Sequence, residues 1–84
     1  MKIDVTDQGG LRVAAEDLAG YLGLDPAAVP ALMRSGAITS LYEEGRGEDA
    51  GRFRVTFRHG QTRLRFTCAR DGTVLSHIRT QTGR

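Results

Sequence analysis

Two runs, RFRVTFRH (52–59) and TRLRFTCA (62–69), alternate apolar and polar side chains and are separated by Gly60-Gln61. A period of two sends successive side chains to opposite faces of a sheet, and a two-residue linker that begins with glycine suits a tight hairpin turn. If Gly60 and Gln61 form that turn, His59 faces Thr62, Phe57 faces Leu64, Val55 faces Phe66 and Phe53 faces Cys68. Every apolar residue then meets an apolar residue. Moving the turn back by one position, to His59-Gly60, sets Phe57 against Thr62 and loses the match. The same register places Arg58 directly opposite Arg63, where like charges cost stability.

The pairing extends through RDG (70–72), read as a three-residue loop with Gly72 in the left-handed position. Carried on without interruption, it sets Cys68 against Val74 and Leu64 against Ile78. Phe53, Val55, Phe57, Leu64, Phe66, Cys68, Val74 and Ile78 then share one face. Arg52, Arg54, Arg58, Arg63, Arg65, His77 and Arg79 share the other.

Upstream, KIDVT (2–6) and LRV (11–13) alternate around DQGG (7–10), which has turn composition, so an N-terminal hairpin is expected. AAEDLAGYLG reads as a helix: Leu18, Tyr21 and Leu22 form one stripe, Glu16 and Asp17 suit the first turn, and Gly23 can close the end. In a second helix Asp25 is the N-cap, Pro26 takes the first position, Val29, Leu32 and Met33 form the stripe, and Gly36 closes it. AITSLYEE (37–44) is β-rich and leads into GRGEDAG (45–51), a polar loop. The sum is an α+β fold: an antiparallel sheet of four or more strands with a helical hairpin packed on one face. At 84 residues the chain is read as one domain over 1–80, with 81–84 as a frayed tail.

Charge is distributed unevenly. Residues 1–50 carry four basic and nine acidic side chains, a net −5, whereas residues 51–84 carry eight arginines against Asp71, a net +7. An asymmetry of this size points to a charged partner or to neutralisation of one half by the other. The arginine face suits bidentate recognition of oxyanions, which makes an acidic protein or nucleic-acid phosphates the expected partner. Aromatic residues for base stacking are missing from that face, which disfavours a single-strand reader. The competing reading is internal: Glu43 or Glu44, or Glu48 and Asp49 in the loop, neutralise Arg52 and Arg54.

Catalytic signatures are lacking. There is no glycine-rich phosphate loop ahead of a helix and no nucleophile-elbow pattern. His59, His77 and Cys68 lack metal-ligand spacing, and Cys68 is expected in the core. The expectation is therefore a non-enzymatic protein without cofactor or metal. MKIDVTDQGG carries no apolar run of the signal-peptide kind, no segment approaches the roughly 20 apolar residues of a membrane span, and one cysteine fits a reducing compartment. A cytoplasmic monomer or homodimer is expected, with no membrane partner.

LAGYLGLDPAAVPALMRSGAI (18–38), a helix, tight turn and helix followed by a β segment, resembles in part the excisionase-like and MerR-like winged helix-turn-helix domains. That resemblance implies DNA binding with Pro26–Ser35 as recognition helix and Arg34, Arg52, Arg54 and Arg58 on phosphates. DPAAVPALMR departs from the class, since its first turns offer no Asn, Gln or Arg to base edges. LGLDPAAVPALMRSGAITS with EEGRGEDAGRFRVTF resembles, over residues 18–75, a family of short bacterial proteins catalogued as a domain of unknown function. The resemblance implies a compact bacterial cytoplasmic protein with no established activity, substrate or cofactor, and it transfers no functional residue. It draws notice to Glu44, Glu48, Asp49, Gly51 and Arg52, in a loop that either binds something or shapes a tight return between strands.

Overall fold

The computed structural model describes residues 1–6 and 10–81. The chain forms β1 (Ile3–Val5), β2 (Leu11–Val13), α1 (Ala15–Leu22), a 3-10 turn (Pro26–Ala28), α2 (Val29–Ser35), β3 (Ile38–Glu44), a second 3-10 turn (Gly47–Asp49), β4 (Arg52–His59), β5 (Thr62–Ala69) and β6 (Val74–Gln81). β3–β6 make a four-stranded antiparallel sheet in sequential order, and β1 and β2 pair as a separate hairpin. The α+β class is as read from the sequence. Most of the turn DQGG and residues 82–84 of the tail lie outside the described residues; Gln81 is the last residue of β6, paired with Thr62.

The helices form where local chemistry allows. Gly23 at φ 72° ends α1 and donates its N–H to the Ala19 carbonyl. Asp25 then caps the following turn by accepting the Ala27 N–H at 3.0 Å. Pro30 has no N–H for an α-type bond to the Pro26 carbonyl and would press its ring on it. The residues before it therefore adopt a 3-10 turn, in which Val29 N–H reaches Pro26, and α2 begins at Val29.

Leu18, Ala19, Leu22 and Val29 from the helices, Ile3 from the N-terminal hairpin and Phe53, Val55, Phe57, Leu64, Phe66 and Cys68 from the sheet form one buried cluster. The hairpin is held to it by a close approach. Ile3 donates to the Gly72 carbonyl at 2.9 Å. At Gly72, φ is 94° and a Cβ would collide with the Ile3 carbonyl, so glycine is required there twice over. Asp71 shapes the same turn by accepting the Thr73 N–H at 2.9 Å, and that bond holds its carboxyl below the usual range.

Register is where expectation and structure part. β4 and β5 pair as expected throughout, with Phe57 on Leu64, Val55 on Phe66, Phe53 on Cys68 and Arg58 on Arg63. Cys68 also meets Val74 as expected, but a bulge follows: Thr67 pairs with Ser76, so Leu75 is an extra residue in β6. Beyond it every side chain of β6 changes face. His77 lies opposite Phe66, Arg79 opposite Leu64 and Ile78 opposite Arg65. The His77 and Arg79 assignments to the arginine face, and that of Ile78 to the core face, are therefore corrected.

Charge and packing account for the slip. An uninterrupted register would set Arg79 against Arg63 and His77 against Arg65, adding cations to an already cationic surface. With the bulge, Arg63 meets Thr80 and Arg65 meets Ile78. On the other face the His77 ring lies edge-on to Tyr21 of α1, centroids 4.7 Å apart. A Tyr21/His77 double-mutant cycle tests this directly. The bulged register predicts a coupling of about 0.5–1.5 kcal/mol in urea unfolding, as for aromatic pairs in contact. The regular register separates the rings by the sheet and predicts none. Phe66→Ala, at the centre of the cluster, is expected to cost about 3–5 kcal/mol in the same assay.

Candidate functional site: the open face of the sheet

Helices and N-terminal hairpin cover one side of the four-stranded sheet; the other side carries the arginines. Across the strands, its rows read Thr39–Arg58–Arg63–Thr80, Leu41–Thr56–Arg65–Ile78 and Glu43–Arg54–Thr67–Ser76, with Arg52 and Ala69 beyond. Five of the seven residues assigned to this face are on it: Arg52, Arg54, Arg58, Arg63 and Arg65. Glu43 is the single carboxylate among them.

Among the described residues the guanidinium groups of this face are not locked against carboxylates. Among the described residues no ion pair joins an arginine to Glu43, Glu44, Glu48 or Asp49, although Glu43 sits directly opposite Arg54. Internal neutralisation of Arg52 and Arg54 is therefore not what holds this face. Thr56 is only 7% exposed on a side that no helix covers, between its cross-strand neighbours Leu41 and Arg65; long side chains lying along a sheet account for burial of this kind. The Nε atoms of Arg63 and Arg65 are buried without a hydrogen-bond partner. A donor left this way costs roughly 1–3 kcal/mol. An adjoining groove, about 220 Å³, is lined by Thr39, Leu41, Glu43, Thr56, Arg58, Arg63 and Arg65. A smaller one of about 140 Å³ lies between Arg63, Arg65, Ile78 and Thr80.

Two apolar side chains frame the cations: Leu41 on one edge strand is 59% exposed and Ile78 on the other is 61% exposed. Sequence reading missed Ile78, because the bulge that exposes it has no glycine or proline to announce it. Leu41 carries no clear signal either, since AITSLYEE runs its apolar and polar residues in pairs and sets no phase.

The remaining sequence candidates fall elsewhere. Arg34 is in α2, on the helix-bearing side, so the structure does not bring it to one surface with Arg52, Arg54 and Arg58. Cys68 is fully buried, and burial raises its thiol pKa. His59 faces Ile38 and is half-buried beside the turn. The loop from Gly45 to Gly51 shapes a tight return: Gly45 donates to the Arg52 carbonyl at 2.8 Å and Asp49 to that of Arg46 at 3.0 Å. A Cβ at Gly45 would collide with the Asp49 carbonyl. Beside it, Tyr42, Glu44, Arg52, Phe53 and Arg70 line an open groove of about 260 Å³. Partial burial, and then Glu44, whose carboxylate accepts the Tyr42 hydroxyl at 3.4 Å, raise the Tyr42 pKa.

The fold and this face define a small α+β protein with one packed and one open, cationic sheet surface. The chain belongs to a family of unknown function, DUF6522, whose model matches residues 1–84. The family resemblance read from residues 18–75 thus extends over the full chain. No curated protein and no solved structure matches it.

Two outcomes check the geometry. Arg58→Thr removes a like-charge cross-strand pair and is expected to raise stability by about 0.2–1 kcal/mol at low ionic strength, with the gain shrinking as salt is added. Cys68 should resist a maleimide in the native protein at neutral pH and react once urea unfolds it.

Proposed function

We propose that this protein is a non-enzymatic binding module that engages an acidic protein partner through the arginine face of its sheet. The observation that carries the reading is the cluster of Arg58, Arg63 and Arg65: adjacent on the surface, unpaired with carboxylates of the described residues, and with two Nε donors buried and unsatisfied. A partner carboxylate relieves cross-strand repulsion, and the guanidinium groups of Arg63 and Arg65, turning to meet it, bring those donors out of burial. Leu41 and Ile78, exposed at the two sides of the cluster, favour a protein ligand over a bare phosphate backbone, because apolar side chains gain from a partner that also buries apolar surface.

Duplex DNA binding of the winged helix-turn-helix type is supported less well. Its contact set divides between the two sides of the sheet, Arg34 on one and Arg52, Arg54 and Arg58 on the other, and α2 spans seven residues.

The test is a titration with a labelled acidic peptide, duplex DNA and RNA at two ionic strengths. The acidic peptide is expected to bind, and to bind more weakly at higher salt. Arg58→Ala, Arg63→Ala and Arg65→Ala together should abolish it; each alone should weaken it about tenfold or more, as expected for a lost charged hydrogen bond. Unchanged binding by the triple variant would overturn the proposal. Dependence on Arg34 would favour the DNA reading instead.

A further inference from the structure

The cationic face ends at an open strand. β6 is an edge of the four-stranded sheet. Among the described residues its outer side is met only at its beginning, where Lys2 bridges Thr73 and Val74 donates to the Met1 carbonyl at 3.2 Å. From Leu75 to Gln81 every residue is exposed. An unpaired edge offers a row of backbone N–H and C=O groups to another extended segment, and proteins ordinarily guard such edges with proline, charge or a covering element. Residues 75–81, LSHIRTQ, hold no proline and no carboxylate. Their one bulge lies at the start, next to Thr67 and Cys68.

The other edge strand differs in both respects that matter to an acidic ligand. β3 carries Glu43 and Glu44, and α2 packs beside it. An acidic segment is repelled there and attracted at β6.

We propose that the partner binds as an extended acidic segment added antiparallel or parallel to the outer edge of β6, with its carboxylates reaching the arginines of β5. This rests on the arginine-face reading above and specifies its partner. The geometry follows from strand spacing. A strand added to β6 lies about 10 Å, two strand separations, from β5. A glutamate on it and an arginine on β5 span that distance together, provided the residue between them is short. Thr80 is that residue for Arg63. The groove between Arg63, Arg65, Ile78 and Thr80 opens along this path. On the opposite face of the added strand the nearest cation is Arg79, which the bulge turns to that side. An apolar residue of the segment lies beside Ile78. The ligand is therefore a strand with carboxylates on its two faces and an apolar side chain among them, held by backbone hydrogen bonds for affinity and by side chains for choice.

The probe is a fluorescein-labelled peptide of about eight residues, matched to the length of β6, with valine and glutamate taking turns on the face beside Ile78 and Thr80 and glutamates on the face beside Arg79. Two further versions carry N-methyl groups on alternate backbone amides, one version for each parity. In an added strand only alternate amides point at β6, so one version should lose binding by about tenfold or more while the other keeps it. Arg63→Thr should weaken the unmodified peptide comparably, while its circular dichroism and urea midpoint report that it still folds. Equal binding of all three peptides, with Arg63 still required, would overturn strand addition and leave the arginine face as an anion site. Binding of RNA, duplex DNA or inorganic phosphate without the peptide would overturn it in favour of phosphate. Loss of binding to every anion would overturn the underlying reading as well. A sedimentation dimer that excludes the peptide would show that a second copy occupies the edge, and would also overturn it.

Discussion

Contact among Phe57, Leu64, Val55 and Phe66 across β4 and β5 is the constraint on which the rest of the molecule depends. These side chains pair directly and are fully buried. In a chain of 84 residues that buries about 60–65% of its unfolded surface, losing this match by a one-residue slip would send the centre of the core into solvent. Core packing outweighs surface repulsion here: burying one such side chain is worth about 1.5–3 kcal/mol, whereas a like-charged cross-strand pair costs about 0.2–1 kcal/mol. The arginines accordingly occupy the face that packing leaves them, even where Arg58 meets Arg63.

The bulge at Leu75 shows where charge does decide. At the rim of the sheet the core has less to lose: Ile78 is surrendered to solvent, and in exchange His77 packs on Tyr21 while Arg63 and Arg65 gain neutral neighbours. The surface changes as well: a uniformly cationic face becomes a cationic strip bordered by Leu41 and Ile78.

Alternation in RFRVTFRH and TRLRFTCA, with glycine first in the turn, was enough to read the β4–β5 register residue by residue. Gly23 and Gly36 likewise marked the ends of α1 and α2, whereas Asp25 and Pro26 marked the 3-10 turn before α2 rather than α2 itself, which begins at Val29. The bulge was not legible. LSHIRTQ alternates equally well in either phase, and the choice between phases rests on contacts with Tyr21 and with β5 that are far apart in sequence. His77 and Arg79 were misplaced for that reason alone. The fate of Glu43, Glu44, Glu48 and Asp49 was open for a related one: proximity in sequence to Arg52 and Arg54 does not set side-chain geometry. Opposite Arg54 in register, Glu43 still forms no ion pair with it.

A surface of arginines forced together by the core, and joined to no carboxylate by an ion pair among the described residues, has a thermodynamic signature in the free protein. The most direct measurement is the urea midpoint of the wild-type chain as sodium chloride is raised from low concentration to about 0.5 M, where the screening length falls to a few ångströms. Unrelieved repulsion predicts that the midpoint rises with salt at constant m-value. A midpoint that falls as salt is added would mean that the guanidinium groups are held by attraction to carboxylates, and would contradict the account.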